Sequence, residues 1–296
     1  MSGAFGDQAL EPPARTTSQR MARFVAKTPI HIALLAIALV WLLPTIGLLI
    51  TSFRPSEDVL SNGWWTVFTG NLRFTTDNYQ SVLGGQGMLT AFLNSVSISI
   101  PSTILPLLIS ALAAYAFAWL EFPLRDTIFL VVVALLMIPV QMTLIPLLDL
   151  FAALGLNRGF LMLWIAHTTF ALPFGIFLLR NFFITLPRDL IEAARMDGAS
   201  SWKIFTTVVV PLSVPALASY GIFQFLWVWN DLLMALIFAP RGGQPMTVQV
   251  TGLLGTYGTE WHILAAAAFV IMLVPLIVFF SLQRYFVQGL LAGSVK

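Results

Sequence analysis

The sequence contains no cysteine, which excludes disulfide staples and thiolate metal sites and leaves the redox compartment open. Charge is nearly as scarce. Only 9% of the 296 residues are Asp, Glu, Lys or Arg, whereas soluble domains carry about a quarter. Histidine occurs three times, at His31, His167 and His262. These fall at different depths of the hydrophobic pattern, so no metal site and no catalytic constellation is expected. A net charge of +2 offers no footprint for nucleic acid. What fills the chain is apolar: 58% of residues are hydrophobic and the mean hydropathy is +0.88. Such a composition is expected in lipid.

Six stretches are free of charged side chains: Ile32–Phe53, Asn78–Leu120, Thr127–Leu148, Gly159–Leu179, Ile204–Asn230 and Trp261–Gln283. Each can hold about 20 apolar helical residues, enough to cross a hydrocarbon core about 30 Å thick. The second begins in a polar, glycine-rich loop at Leu83–Gly87, so its helix is predicted over Phe92–Leu120. In hydrocarbon the backbone must satisfy itself within each segment, so helices are expected. No alternation of apolar and polar residues suggests a β-barrel.

If the N-terminus is cytoplasmic, eleven of the fifteen Lys and Arg residues fall inside and four (Arg54, Arg73, Arg158, Arg241) outside. This asymmetry puts both termini in the cytoplasm. The expected fold class is therefore an all-α integral membrane protein with six transmembrane helices. Its first span is longer than the h-region of a cleaved signal peptide and is read as a retained anchor. Residues 1–29 are assigned to a cytoplasmic tail and 30–296 to the membrane domain. Outer loops are expected at 53–90 and 240–261, an inner loop at 181–203 and an inner tail at 284–296.

The inner loop is too long for a simple turn. Pro187 suits the first turn of a helix, where its missing N–H would be unpaired anyway. Asp189 complements the macrodipole there. Leu186, Leu190, Ala193 and Ala194 recur at helical spacing and form an apolar edge. Gly198 can adopt the left-handed conformation that stops the helix, and Ser200 can cap a second helix leading to Val208 and Pro211. Physically, this is a pair of short helices joined at Gly198. It serves equally as an amphipathic connector on the membrane surface or as a docking element for another protein.

Glu192-Ala193-Ala194, three residues, Gly198, nine residues, then Val208-x-Val210-Pro211 resembles the EAA signature of ABC importer permeases, with Val at both aliphatic positions. The stretch Phe170–Phe183, the run Asp197-Gly198-Ala199, Asn94-Ser95, Ala113–Ala118, Ile138-Pro139 and Trp229-Asn230-Asp231 are similar to the carbohydrate-uptake branch, as in the second permease of maltose-type importers. The resemblance implies a type I ABC importer permease fold in the plasma (cytoplasmic) membrane of a prokaryote. It implies that Glu192, Ala193, Ala194, Asp197, Gly198 and Pro211 belong to a coupling loop seated on an ATPase subunit. A dimer of that ATPase, a second homologous permease and an extracytoplasmic sugar-binding protein are the implied partners. The sequence lacks a G-x-x-x-x-G-K-[ST] phosphate loop. This chain is thus expected to be no enzyme and to hold no cofactor, with ATP and Mg bound by the ATPase.

Polar side chains within spans are candidates for the substrate path. Here they are Asn94, Gln141, His167, Gln224, Trp229 and Asn230; amides beside an aromatic ring suit a sugar. By resemblance, Gly255, Tyr257 and Gly258 of the last outer loop contact the binding protein. Di- or oligosaccharides are the implied cargo, and the Gly63-Trp64-Trp65 loop and the tail look like those of α-glucoside permeases. The same branch includes glycerol-phosphate permeases. A secondary transporter would be expected to place carboxylates inside its spans, and these spans have almost none.

Overall fold

The computed structural model describes residues 17–292, apart from 71, 86, 157 and 257–259. It divides into a unit ending at Ile50 and a unit starting at Thr51. In the first, the described residues form one helix, the bulk of Thr17–Ser52, whose portion Thr28–Ser52 is long and apolar enough to cross a bilayer.

In the second unit every described regular element is helical. Continuous candidate spans are Met88–Trp119, Phe160–Phe183 and Trp261–Arg284. Prolines sit inside all three (Pro101 and Pro106, Pro173, Pro275). Membrane helices tolerate them because neighbours re-satisfy the freed backbone groups.

Two further candidates are broken. Arg125–Met137 and Val140–Ala153 meet at 102°, and Ser201–Leu212 and Val214–Trp229 meet at 78°. Both breaks have a proline cause. A residue before proline is pushed out of the α region, and Ile138, preceding Pro139, is extended at φ −79°, ψ 116°. At the second break Pro215 follows Ser213 and Val214 and cannot donate backward into the preceding turn. The structure thus shows four to six candidate spans, according to how the bent pairs are counted.

The predicted second helix starts earlier than expected, at Met88, and Leu83–Gly85 is not loop but the end of the helix Asp77–Gly85. The segment 53–76 is itself folded, with a helix at Ser56–Ser61 and a 3₁₀ helix at Trp64–Thr69. Arg54 organises it. Only 1% exposed, it donates to the carbonyls of Asn62 (3.2 Å) and Asp58 (3.1 Å) and to Thr66 Oγ1 (3.3 Å). Asn78 closes the loop by donating to the carbonyls of Ser52 (2.8 Å) and Arg54 (2.9 Å).

Buried side chains gather at the two ends of the bundle. Ala111, Ala114, Leu179, Phe183, Ile191, Val209 and Tyr220 form a cluster at the Glu192 end. Met88, Ala91, Trp229, Leu264 and Ala267 form one at the other end, with a third around Phe151, Leu163 and Phe238. Near the first cluster Gly175 lets three helices approach: a Cβ there would collide with Ser110 Oγ and the Tyr220 ring. Small residues at such crossings are how membrane helices pack.

Candidate functional site: the Glu192 loop and the aromatic face

The loop that carries Glu192 folds as two helices. The first, Arg188–Met196, starts one residue later than expected. Pro187 lies outside the helix as its cap, at ψ 124°, and Asp189 occupies the first turn. Gly198, at φ +75°, reverses the chain. The N–H of Ala199 donates to the carbonyl of Ala194 and that of Gly198 to Arg195, both at 3.0 Å. This pair of bonds closes the orphaned carbonyls of a helix end. Ser200 Oγ then accepts from the N–H of Lys203 (3.3 Å) and caps the next helix. That helix passes through a π turn at Phe205–Val209 before Pro211 and the break.

The expected apolar edge is rotated. Leu186 is buried and Ala194 packs half-buried against the same cluster, but Leu190 and Ala193 face outward, and Ile191, 1% exposed, takes the inward position. Periodicity allowed either neighbour inward; Ile191 packs into the cluster with Leu179, Phe183 and Val209. One turn later Arg195 donates to the carbonyl of Trp119 (2.9 Å) and fixes that rotation. The outward surface therefore carries Glu192, Ala193, Leu190, Met196 (84% exposed) and Trp202 (65%). Small and apolar residues edged by Glu192 and Asp197 suit a close protein contact, since bare hydrophobics of this kind mark interaction sites.

The polar residues within the spans separate into three groups. Asn94 and Trp229 turn their donors to backbone carbonyls across the bundle, while Asn230 is exposed and bonds within its own helix. Asn94 donates to the carbonyls of Gln244 (3.0 Å) and Gly242 (3.4 Å), and Trp229 donates to Ile271 (3.1 Å) while stacked on Phe225. Asn230 donates to the Leu226 carbonyl of its own helix (2.8 Å). His167 is buried, with Nε2 3.8 Å from Asp231 Oδ2. Asp231 in turn accepts from the N–H groups of Ala235 (3.0 Å) and Met234 (3.3 Å), capping the helix Leu233–Phe238. Gln141 is exposed just after the break at Pro139, and Gln224 borders a cavity. Gly255 lies in the helix Met246–Thr256; Tyr257 and Gly258 lie outside the described residues.

The cavity beside Gln224 measures about 350 Å³ and is bordered by Phe174 of the helix Phe160–Phe183, by Phe223 and Trp227 of the helix Val214–Trp229 and by Leu136. A neighbouring cavity of about 470 Å³ shares Leu136 and Phe170 and runs along the break at Ile138. No charged side chain borders either one. Sequence reasoning singled out Gln224 but not these rings; in a chain with 24 phenylalanines, nothing in their spacing sets them apart.

Residues 106–291 match the family of binding-protein-dependent transport system inner membrane components. The chain belongs to this family. It is 54% identical to the osmoprotective compounds uptake permease protein GgtD of a Synechocystis species, over 98% of this chain and 99% of that one. It is 39% identical to the alpha-glucoside transport system permease protein AglG of Rhizobium meliloti, over 90% and 96%. It superposes with a TM-score of 0.68 and 22% identity on a chain from the crystal structure of a bacterial ABC transporter involved in the import of the acidic polysaccharide alginate, covering 93% of this chain and 100% of that one. The fold is that of an ABC importer permease. The chain is a membrane-embedded transport component, as the Glu192 signature implied, and its family is not one of enzymes.

Proposed function

We propose that this chain is one of two homologous permease subunits in an ATP-driven importer of neutral di- or oligosaccharides, α-glucosides among them. It crosses the plasma membrane of a prokaryote six times, each bent pair counting as one span, with both termini in the cytoplasm. An extracytoplasmic binding protein delivers the sugar, and the loop 240–261, including Gly255, Tyr257 and Gly258, receives it. A dimeric ATPase, which alone binds ATP and Mg, docks on the Glu192 loop. Glu192, Ala193, Ala194 and Asp197 supply the contact, while Gly198 and Pro211 shape the two helices that carry it.

The observation that carries this reading is the split character of the first helix of that loop. Its outward side is free for a partner, and its inward side is tied to the second span through Arg195 and to the inner cluster through Ile191. A partner that moves the helix therefore moves the spans. Several relatives are named for sugars, which supports the cargo class. The uncharged borders of both cavities support a neutral solute over a glycerol phosphate, since a phosphate would be expected to meet Arg or Lys.

The test is Glu192→Lys in the complete importer. Sugar uptake should fall at least about tenfold, with weakened retention of the ATPase, because charge reversal at a contact repels the partner. Unchanged uptake and unchanged ATPase association would remove the coupling role.

A further inference from the structure

We infer that Phe174, Phe223 and Trp227, together with Gln224, form a sugar-stacking subsite inside this chain. The inference rests on the sugar-importer reading and assigns to this subunit its own contact with the cargo.

The rings form a prearranged wall. Phe174 and Phe223 meet edge-on, with centroids 6.4 Å apart at 84°, and Trp227 is set edge-on against buried His167, at 5.4 Å and 89°. His167 is itself placed beside Asp231. All three rings remain partly open, between 37% and 39% exposed. Pyranose rings present C–H faces that pack on aromatic surfaces and hydroxyls that need hydrogen-bond partners. The wall offers both. Gln224 is 4% exposed, and its amide nitrogen is held by the Ser102 carbonyl at 3.0 Å. That bond fixes the amide, and its oxygen accepts no hydrogen bond among the described residues. The Trp227 indole N–H likewise donates to none. An oriented acceptor and a free donor among rings match the make-up of small-molecule sites, which are mostly apolar with a few fixed polar groups and span about 300–1,000 Å³. The cavity, about 350 Å³, lies within that range.

Two other occupants fit less well. Lipid is disfavoured because the extended Ile138–Pro139 break runs along the adjoining cavity, and irregular backbone at membrane depth belongs against protein or water. Close packing by the second permease is disfavoured because such crossings use small residues, whereas this face has large rings around a void. With no charged side chain at its border, the cavity has no counter-ion for an ionic solute.

The absence of native cysteine allows a direct test. Phe174→Cys and Phe223→Cys are placed in the complete importer with its binding protein and probed with N-ethylmaleimide, which needs a hydrated thiolate. Maltose, sucrose and trehalose are tested as the sugars. Both positions should label, and a transported sugar should slow labelling about tenfold while leaving Leu124→Cys, exposed on the opposite end, unaffected. Trp227→Ala should lower sugar moved per ATP hydrolysed about tenfold, with binding-protein-stimulated hydrolysis retained. A complex that imports one of these sugars yet shows no protection, or no labelling, overturns the subsite. A complex whose ATPase responds to the binding protein but imports none of the three overturns α-glucosides as the cargo, and the subsite with it.

Discussion

Arg195 donates to the backbone carbonyl of Trp119 at 2.9 Å, joining the helix of the Glu192 loop to the last residue of the second-span helix. The carbonyls of a final helical turn lack intrahelical donors, and a cation there also complements the macrodipole. One side chain thus links a surface helix to a long membrane helix. Removing it should loosen the transmission of movement without unfolding either helix. Arg195→Ala is expected to lower sugar uptake about two- to fivefold, in keeping with the ~1 kcal/mol scale of such contacts. Arg195→Lys should recover part of the loss, as read from initial uptake rates in proteoliposomes.

Ile191 and Leu190 are neighbours with opposite fates, which gives a second expectation. Ile191 is buried in the inner cluster, while Leu190 is exposed. Truncating a packed isoleucine to alanine costs about 2–5 kcal/mol where the site cannot collapse. Ile191→Ala should therefore undock the loop helix from the spans, raising ATP hydrolysis that is not matched by uptake. Leu190→Ala should leave that docking intact and instead weaken retention of the ATPase during purification. Identical behaviour of the two variants would contradict the assignment of faces.

Gly198 isolates a backbone effect. Its φ of +75° disfavours L side chains, yet a Cβ added there meets no atom within 4 Å. The penalty for Gly198→Ala is then conformational alone, about 1–2 kcal/mol. Gly198→Asn should be milder, because asparagine tolerates the left-handed region. Hydrogen exchange across residues 188–212 should show faster opening in the order Gly, Asn, Ala.

Much of this architecture is legible from composition and periodicity. Long runs without charge locate the candidate membrane helices within a few residues, and Gly198 and Ser200 announce the turn and cap that the structure contains. The rotation of the loop helix is not legible, because Leu190 and Ile191 are chemically alike and only packing against Leu179 and Phe183 selects between them. The breaks at Pro139 and Ser213 escape a reading based on hydrophobic runs, since prolines elsewhere, such as Pro106 and Pro173, sit inside unbroken helices. Polar type alone also does not say which way a side chain turns. Asn94 and Trp229 carry the right chemistry for a sugar but turn their donors to backbone carbonyls across the bundle.

The Asn94–Ser95 pair provides the last expectation. Asn94 donates to the carbonyls of Gln244 and Gly242, and Ser95 Oγ accepts from the N–H of Met246 at 2.9 Å. From the other side Thr247 Oγ1 donates to the Asp231 carbonyl at 2.7 Å. The start of the helix Met246–Thr256 is therefore held between the helix Met88–Trp119 and the segment just after the helix Val214–Trp229. Ser95 is buried, so removing its oxygen leaves the Met246 N–H unsatisfied, at about 1–3 kcal/mol. Ser95→Ala and Asn94→Leu should each release the segment 242–247, increasing its hydrogen exchange and weakening stimulation of ATP hydrolysis by the binding protein. The double variant should show less than the sum of the single effects, because both side chains restrain one segment. Normal binding-protein stimulation alongside faster exchange would mean that the segment is held for stability alone.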